Sequence, residues 1–312
     1  MAAFDTDAFS TDAFDIASFS MATDTVITTA AVTNTPRMVF TNDFDDLTVT
    51  CTVAQTNDVT NTQLKGNESF ARVPLVGNES AIVIRGTIGT TQTATSIGFS
   101  YSNLKDTEAG EAVSAFAYFW TDDAWGGGSG TAGQYVELEL DRLWTSHKAN
   151  EGTGIFEELS GYAFFDSVSY KSFQLVITCN YNRTVHSGVG YLDVGRIILG
   201  NAFESEFSYD WGSSSFKNKD TRKTSGIQNN ISATQNRQVT IMFPQLSDAE
   251  RLDLATQAAT IGKRGDILLG LEPLGTDAIA KEKTFLARRV SDLKTTRVGH
   301  NINTSSITFV GN

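Results

Sequence analysis

From Val26 onward the chain is a succession of short apolar-alternating runs bounded by turn residues, and this pattern limits its fold more than any other feature. The clearest runs are Arg37-Met-Val-Phe40, Leu47-Thr-Val-Thr-Cys51, Ala81-Ile-Val-Ile-Arg85, Ala115-Phe-Ala-Tyr-Phe-Trp120, Tyr135-Val-Glu-Leu-Glu-Leu140 and Phe173-Gln-Leu-Val-Ile-Thr178. A period of two places successive side chains on opposite faces of a strand, whereas a helix needs a period near 3.6. Strands joined without crossover helices pair antiparallel, so the pattern predicts a mainly β chain built on an antiparallel sandwich. Tyr135 to Leu140 alternates cleanly, which predicts one face in solvent. Ala115 to Trp120 is bulky throughout, which predicts a strand covered on both sides.

Composition supplies the material for a core. With 312 residues, 40% of them hydrophobic and 20 of them Phe, the chain can bury one large β core or two smaller ones. The net charge of −12 argues against a nucleic-acid partner, because phosphate binding needs a concentrated cationic surface. No apolar run reaches the roughly 18 residues that a membrane-spanning helix requires. The acidic N-terminus lacks the basic, then apolar, start of a secretion signal, so the protein is expected to stay in the cytoplasm until it joins an assembly. Cys51 and Cys179 lie in alternating runs without metal-ligand spacing and read as buried thiols, not as a disulfide framework.

The first residues follow a different rule. Phe4, Phe9, Phe14 and Phe19 recur every five positions among Ala, Asp, Ser and Thr. Neither a helix nor a strand keeps that spacing on one face. Residues 1–24 therefore read as an extended arm whose rings dock in separate pockets of the body or of a neighbour. The alternative is an Asp-solubilised tail. The sandwich is expected over residues 25–205, and a smaller α+β part over 206–312. In that part Ser247-Asp-Ala-Glu250 is a capping box opening a helix that should end near Gly262, with Leu252, Ala255 and Ala259 on one face. Strands are expected at Arg237 to Phe243, Asp266 to Leu271, Thr284 to Val290 and Ser305 to Val310.

The segment Gly190-Tyr-Leu-Asp-Val-Gly-Arg-Ile-Ile-Leu-Gly200, preceded by the strand Gln174-Leu-Val-Ile177 and a turn with Asn and Gly, resembles galactose-binding-like (discoidin-type) β-sandwiches of phage tail proteins. Ile97-Gly-Phe-Ser-Tyr-Ser-Asn-Leu104 fits an early strand of that pattern, followed by Ala115 to Trp120. The Ala-Phe-Asp/Ser repeats are similar to the openings of phage structural proteins. The order of large sandwich, Gly-Arg strand, Trp-Gly segment, strand, helix and strands is similar to phage tail-tip subunits. This likeness implies a jelly-roll or galactose-binding-like sandwich in a structural virion protein of a bacteriophage tail, at the distal tail tip or baseplate. The partners it implies are copies of the chain itself, in a ring-like homo-oligomer, and other tail proteins, with assembly in the host cytoplasm. The alternative it permits is a carbohydrate-binding module that touches a host surface glycan. Arg196, set among Val194, Ile197 and Leu199, is expected to be paired inward or across its strand, since a buried guanidinium needs carboxylate or carbonyl partners.

Catalytic constellations are missing from the sequence. His147, His186 and His300 stand apart, with no metal-helix spacing and no triad companion. The stretch Trp125-Gly-Gly-Gly-Ser-Gly130 lacks the Lys-Ser/Thr of a phosphate loop. Asp122 and Asp123, between Trp120 and Trp125, have two readings: a sugar or Ca²⁺ contact in which an indole stacks on a sugar face, or a solvated loop tip. A glycosidase needs two acids opposed across a cleft, and adjacency does not provide that. The sequence thus predicts a non-enzymatic protein without a cofactor or a resident metal.

Overall fold

The computed structural model describes residues 24–28, 34–52, 55, 57–64, 70–74, 81–100, 113–123, 125, 133–141, 160–179, 191–205, 210–218, 221–224, 227–230, 234–263, 265–273 and 284–311. Phe4, Phe9, Phe14 and Phe19 of the expected arm lie outside the described residues, as do His147 and His186. In chain order the strands begin with β1 (Thr25–Val26), β2 (Arg37–Val39), β3 (Thr48–Cys51), β4 (Ala71–Pro74), β5 (Ala81–Phe99), β6 (Val113–Trp120) and β7 (Gln134–Glu137). There follow β8 (Glu139–Asp141), β9 (Ser160–Cys179), β10 (Tyr191–Val194), β11 (Ile197–Gly200), β12 (Phe203–Glu204), β13 (Asp210–Asn218), β14 (Thr221–Thr224) and β15 (Ile227–Asn230). β16 (Thr234–Leu246) leads into helix α1 (Asp248–Ile261), and β17 (Asp266–Gly270), β18 (Thr284–Arg289), β19 (Lys294–Gly299) and β20 (Ile302–Gly311) complete the chain. The fold is mainly β, a β-sandwich with one helix among the described residues, as the alternating runs predict.

The first sheet has the order β1-β7-β6-β9-β5-β11, with β3 on β5 and β8 on β9. β5 and β9 have 19 and 20 residues and would each span roughly 60 Å if flat. Their register shifts between Thr87 and Gln92 and again between Ala94 and Ser96. At these irregularities the inward parity changes: Ala163 and Phe165, then Val168 and Tyr170, then Phe173, Leu175 and Ile177 all enter one core. Ile82 and Ile84 from one end of β5 meet Ile97 and Phe99 from the other in that same core. Only a sheet bent back on itself at its bulges brings both ends together.

The second sheet has the order β12-β2-β17-β18-β20-β16-β13, with β19 on β20. One face holds Met38, Phe243, Leu269, Phe285 and Phe309 under Leu254 and Ala258 of α1. On the other face Val39, Leu268 and Leu286 pack against Tyr162, Phe164 and Ile198 of the first sheet. Close approach there depends on small residues: a Cβ on Gly98 would stand 3.0 Å from Leu268, and one on Gly270 2.6 Å from the Phe164 ring.

These pairings depart from the division at residue 205. β2 and β12 come from the 25–205 segment yet hydrogen-bond within the second sheet. The physical reason is β17, which is buried along its whole length. A strand apolar on both faces needs a neighbour on each edge, and β2 and β18 supply them.

Helix α1 has the expected N-cap, with the capping box formed reciprocally by Ser247 and Glu250, and Gly262 closes it at φ 67°. Its buried side is Leu254 and Ala258 with Ile261 alongside, while Leu252 is 60% exposed. The expected 252/255/259 face is therefore corrected. The 254/258/261 line presents a Leu and an Ile, and so buries more apolar area than one Leu with two Ala.

The segment from Gly190 to Gly200 is also two strands, not one. β10 pairs with β4, and β11 pairs with β5. Arg196 sits at the break, 1% exposed, and Asp45 accepts from it at 2.5 and 2.7 Å. The carbonyls of Thr62 and Gln63 also accept from its Nη1, and Asp266 lies 3.7 Å from its Nε. Two 3₁₀ turns, Asp43–Asp46 and Val59–Gln63, hold these partners in place. Asn42 ties the first turn to Ile197 and Leu199, and the Gln63 amide donates to the carbonyls of Phe44, Asp45 and Leu47. The inward pairing expected of Arg196 is thus met by the two turns and by β17 of the second sheet. Arg196→Ala takes the guanidinium from Asp45, which keeps only the Asn42 amide among the described residues, and the donor from the Thr62 and Gln63 carbonyls, so chemical denaturation should show a loss of about 3–5 kcal/mol. A loss under about 1 kcal/mol would show that this network does not hold the sheets together.

Candidate functional site

Four adjacent strands of the first sheet form a regular grid on the side facing away from the main core. Ile82, Ile84, Ala117, Phe119, Val136, Phe173 and Leu175 point into that core, so their alternate neighbours point the other way. Register places Arg85 opposite Gln174, Gln174 opposite Tyr118, and Tyr118 opposite Tyr135. The row on one side runs Val83, Val176, Phe116 and Glu137, and the row on the other runs Thr87, Ser172 and Trp120. Directly opposed side chains lie about 4.5–5.5 Å apart at Cβ, close enough for every pair to touch.

The middle of the grid is aromatic. Tyr118 stacks on Trp120 at 5.9 Å and 15°, and on Tyr135 at 5.5 Å and 29°. Phe116 meets Tyr135 edge-on at 6.2 Å. Tyr118 and Trp120 are buried, whereas Phe116, Tyr135 and Trp125 are half-buried and form the accessible layer. Burial, aided by the charges of Asp24 and Tyr135, pushes the Tyr118 phenol up to about 12. Asp24 is held at this edge because its carboxylate accepts from the Gly133 amide at 2.7 Å, and β1 pairs with β7 beside it.

Trp125 closes the cluster from the bend after β6. Its φ of 50° is left-handed, a conformation that costs a bulky residue about 1–3 kcal/mol and persists only where its surroundings hold it. The Arg85 guanidinium stands 5.3 Å from the centre of its ring. Burial lowers the Arg85 pKa from its ordinary value. Among the described residues, Arg85 Nε, Gln174 Nε2, Ser172 Oγ and Trp125 Nε1 are buried with no hydrogen-bond partner. Other such atoms, Arg37 Nε and Arg196 Nε among them, are scattered over the fold, whereas these four belong to one face.

Of the residues singled out in the sequence, Trp120 and Trp125 do meet in this cluster, but in different layers. Trp120 is 7% exposed and belongs to the base, so it offers no open stacking surface. Asp122 is half-buried and Asp123 exposed at the bend between them. Among the described residues no three His, Cys, Asp or Glu side chains gather as metal ligands. Arg85, Ser172, Gln174, Tyr118 and Tyr135 were not anticipated as site residues. Their only sequence signal is polar residues on one parity of otherwise apolar runs, and register across four strands is needed to join them.

No family model matches the chain, and no curated protein matches it. Among solved structures, it is similar to chitosan-binding module 1 from a chitosanase/glucanase of Paenibacillus sp. IK-5. Identity is 13% and the TM-score 0.30, with 51% of this chain and 98% of that one covered. It is also similar to the β-galactosidase BgaA of Streptococcus pneumoniae, at 8% identity and a TM-score of 0.25, covering 56% and 97% of the two chains. Likeness at this level concerns the fold alone.

The layered arrangement predicts unequal costs for the two indoles. Trp120→Ala removes a buried ring and should lower stability by about 3–5 kcal/mol. Trp125→Ala loses a half-buried ring but leaves less bulk at a left-handed position, so its cost should stay within about 1 kcal/mol. Denaturant midpoints at unchanged m-value check both.

Proposed function

We propose that this chain is a non-catalytic glycan-recognising subunit, and that half-buried Arg85, Phe116, Tyr135 and Trp125, set on a base of Tyr118, Trp120 and Gln174, are its contact face. The observation that carries the reading is the rim of half-buried rings, Phe116, Tyr135 and Trp125, beside unsatisfied polar hydrogens on rigid strands. Saccharides present C–H faces that stack on aromatic rings and hydroxyls that need fixed hydrogen-bond partners. A platform built on paired strands positions both kinds of group without a large ordering cost on binding. A glycan array probed with the wild-type chain should give binding, and Trp125→Ala should weaken it at least tenfold with the fold intact by circular dichroism. Unchanged array binding by the Trp125 variant would remove the site from consideration.

The sequence favours a second reading, a ring-forming subunit of a bacteriophage tail tip, through the five-residue spacing of Phe4, Phe9, Phe14 and Phe19. The two readings are compatible, since a tail subunit with a glycan-binding face would contact the host surface. Deleting residues 2–21 should leave the melting transition of the body unchanged and abolish incorporation into tails. Normal assembly of the truncated protein would leave the repeat without that role.

A further inference from the structure

We propose that the ligand of this face is an acidic saccharide whose carboxylate is received by Arg85. The inference rests on the glycan reading and narrows it to a chemical class. It begins from a contrast among arginines. Arg37 pairs with Glu204 at 2.6 Å, Arg72 with Asp193 at 2.8 Å, Arg196 with Asp45 at 2.5 Å and Arg288 with Asp266 at 3.1 Å. Arg85 is half-buried like Arg72, yet among the described residues it has no carboxylate partner, and its guanidinium stands over the Trp125 ring. The chain has 36 acidic residues against 24 basic ones, so an acid was available to fill the position. The grid instead sets an amide, Gln174, opposite Arg85 and a hydroxyl, Ser172, in the adjoining row.

The groups left without partners have one chemical sense. Arg85 Nε, Gln174 Nε2 and Trp125 Nε1 are donors only, and the Ser172 hydroxyl can donate. Gln174 is 3% exposed and Ser172 fully buried, so neither is open to a ligand, and the groups within its reach are those of half-buried Arg85 and Trp125. A guanidinium without a carboxylate is complementary to an anionic oxygen group, and a planar carboxylate matches its fork. The indole on one side of Arg85 excludes water, and a lower local dielectric strengthens an ion pair formed there. The half-buried Trp125 ring beside it offers a stacking surface to the sugar ring that bears the carboxylate. On a chain of net charge −12, affinity for an anion has to come from a local arrangement of this kind.

The test uses matched acidic and neutral sugars on the full chain: oligogalacturonate with its methyl ester, oligomannuronate with its carboxyl-reduced form, and sialyllactose with lactose. Titration calorimetry should show at least one acidic member bound ten times or more tighter than its neutral match, with the difference shrinking as salt rises. Arg85→Gln should bring the two members of that pair to within about twofold, through a loss of affinity for the acidic member larger than any loss for the neutral one. Arg85→Lys should restore part of the preference. Equal binding of acidic and neutral members by the wild type, or a preference that survives in Arg85→Gln, overturns the carboxylate assignment and leaves the glycan reading standing. Binding to no member of the panel, with none on the array, overturns both.

Discussion

A guanidinium buried between Val194 and Ile197 is the constraint from which much of the connectivity follows. An unpaired charge at that depth would be too unfavourable to keep, so acceptors must be brought to it from wherever the chain can supply them. Asp45 and the Thr62 and Gln63 carbonyls arrive on two 3₁₀ turns, and Asp266 arrives on β17 of the other sheet. Each of these segments then needs its own anchor, which Asn42, Gln63 and Arg288 provide. The gain from such pairing is largely offset by desolvation, so what the network contributes above all is position. It sets β11 against the turns and brings the second sheet to the first along the Val39, Leu268 and Phe164 seam.

How much of this was legible in the sequence depended on whether the signal was local. The Ser247 and Glu250 capping box and the Gly262 stop are local, and the helix begins and ends where they say. Alternation in Tyr135 to Leu140 is also local, and Glu137 and Glu139 face out while Val136 and Leu138 face in. That run nevertheless splits after Glu137, because its partner changes from β6 to β9, and no residue in it announces the change. The break at Arg196, the helix side that faces the core and the placement of Arg37 to Val39 in the second sheet all depend on residues far away in the chain. The candidate site lies at the far end of this scale. Trp120 and Trp125 were visible as neighbours of two acids, but their alignment with Arg85 and Gln174 depends on pairing across β5, β9 and β6.

β6 shows how one strand can serve both the fold and the site. Ala115, Ala117 and Phe119 enter the main core, while Phe116, Tyr118 and Trp120 build the outer cluster. The small alanines admit the large rings of β9 on the inner side, and the outer side carries three rings in succession. An outer face of this kind is more apolar than a solvated sheet surface needs, and its donors are less satisfied than a core would tolerate. Both departures fall on the same few residues, and the proposed contact role rests on that coincidence.

The position of β2 between β12 and β17 bears on how the protein comes into being. Val39 pairs with Leu268, a partner roughly 230 residues later in the chain. Closing so long a loop has an entropic cost that grows only slowly with length, but the search for the partner is slow. On the ribosome, Arg37, Met38 and Val39 emerge long before the strand that will flank them. Until β17 is made, that strand keeps one edge unpaired and the second sheet cannot close over the first. A nascent chain of this design therefore carries an exposed apolar edge through most of its synthesis, and it is during that interval, more than after folding, that aggregation competes with the native state.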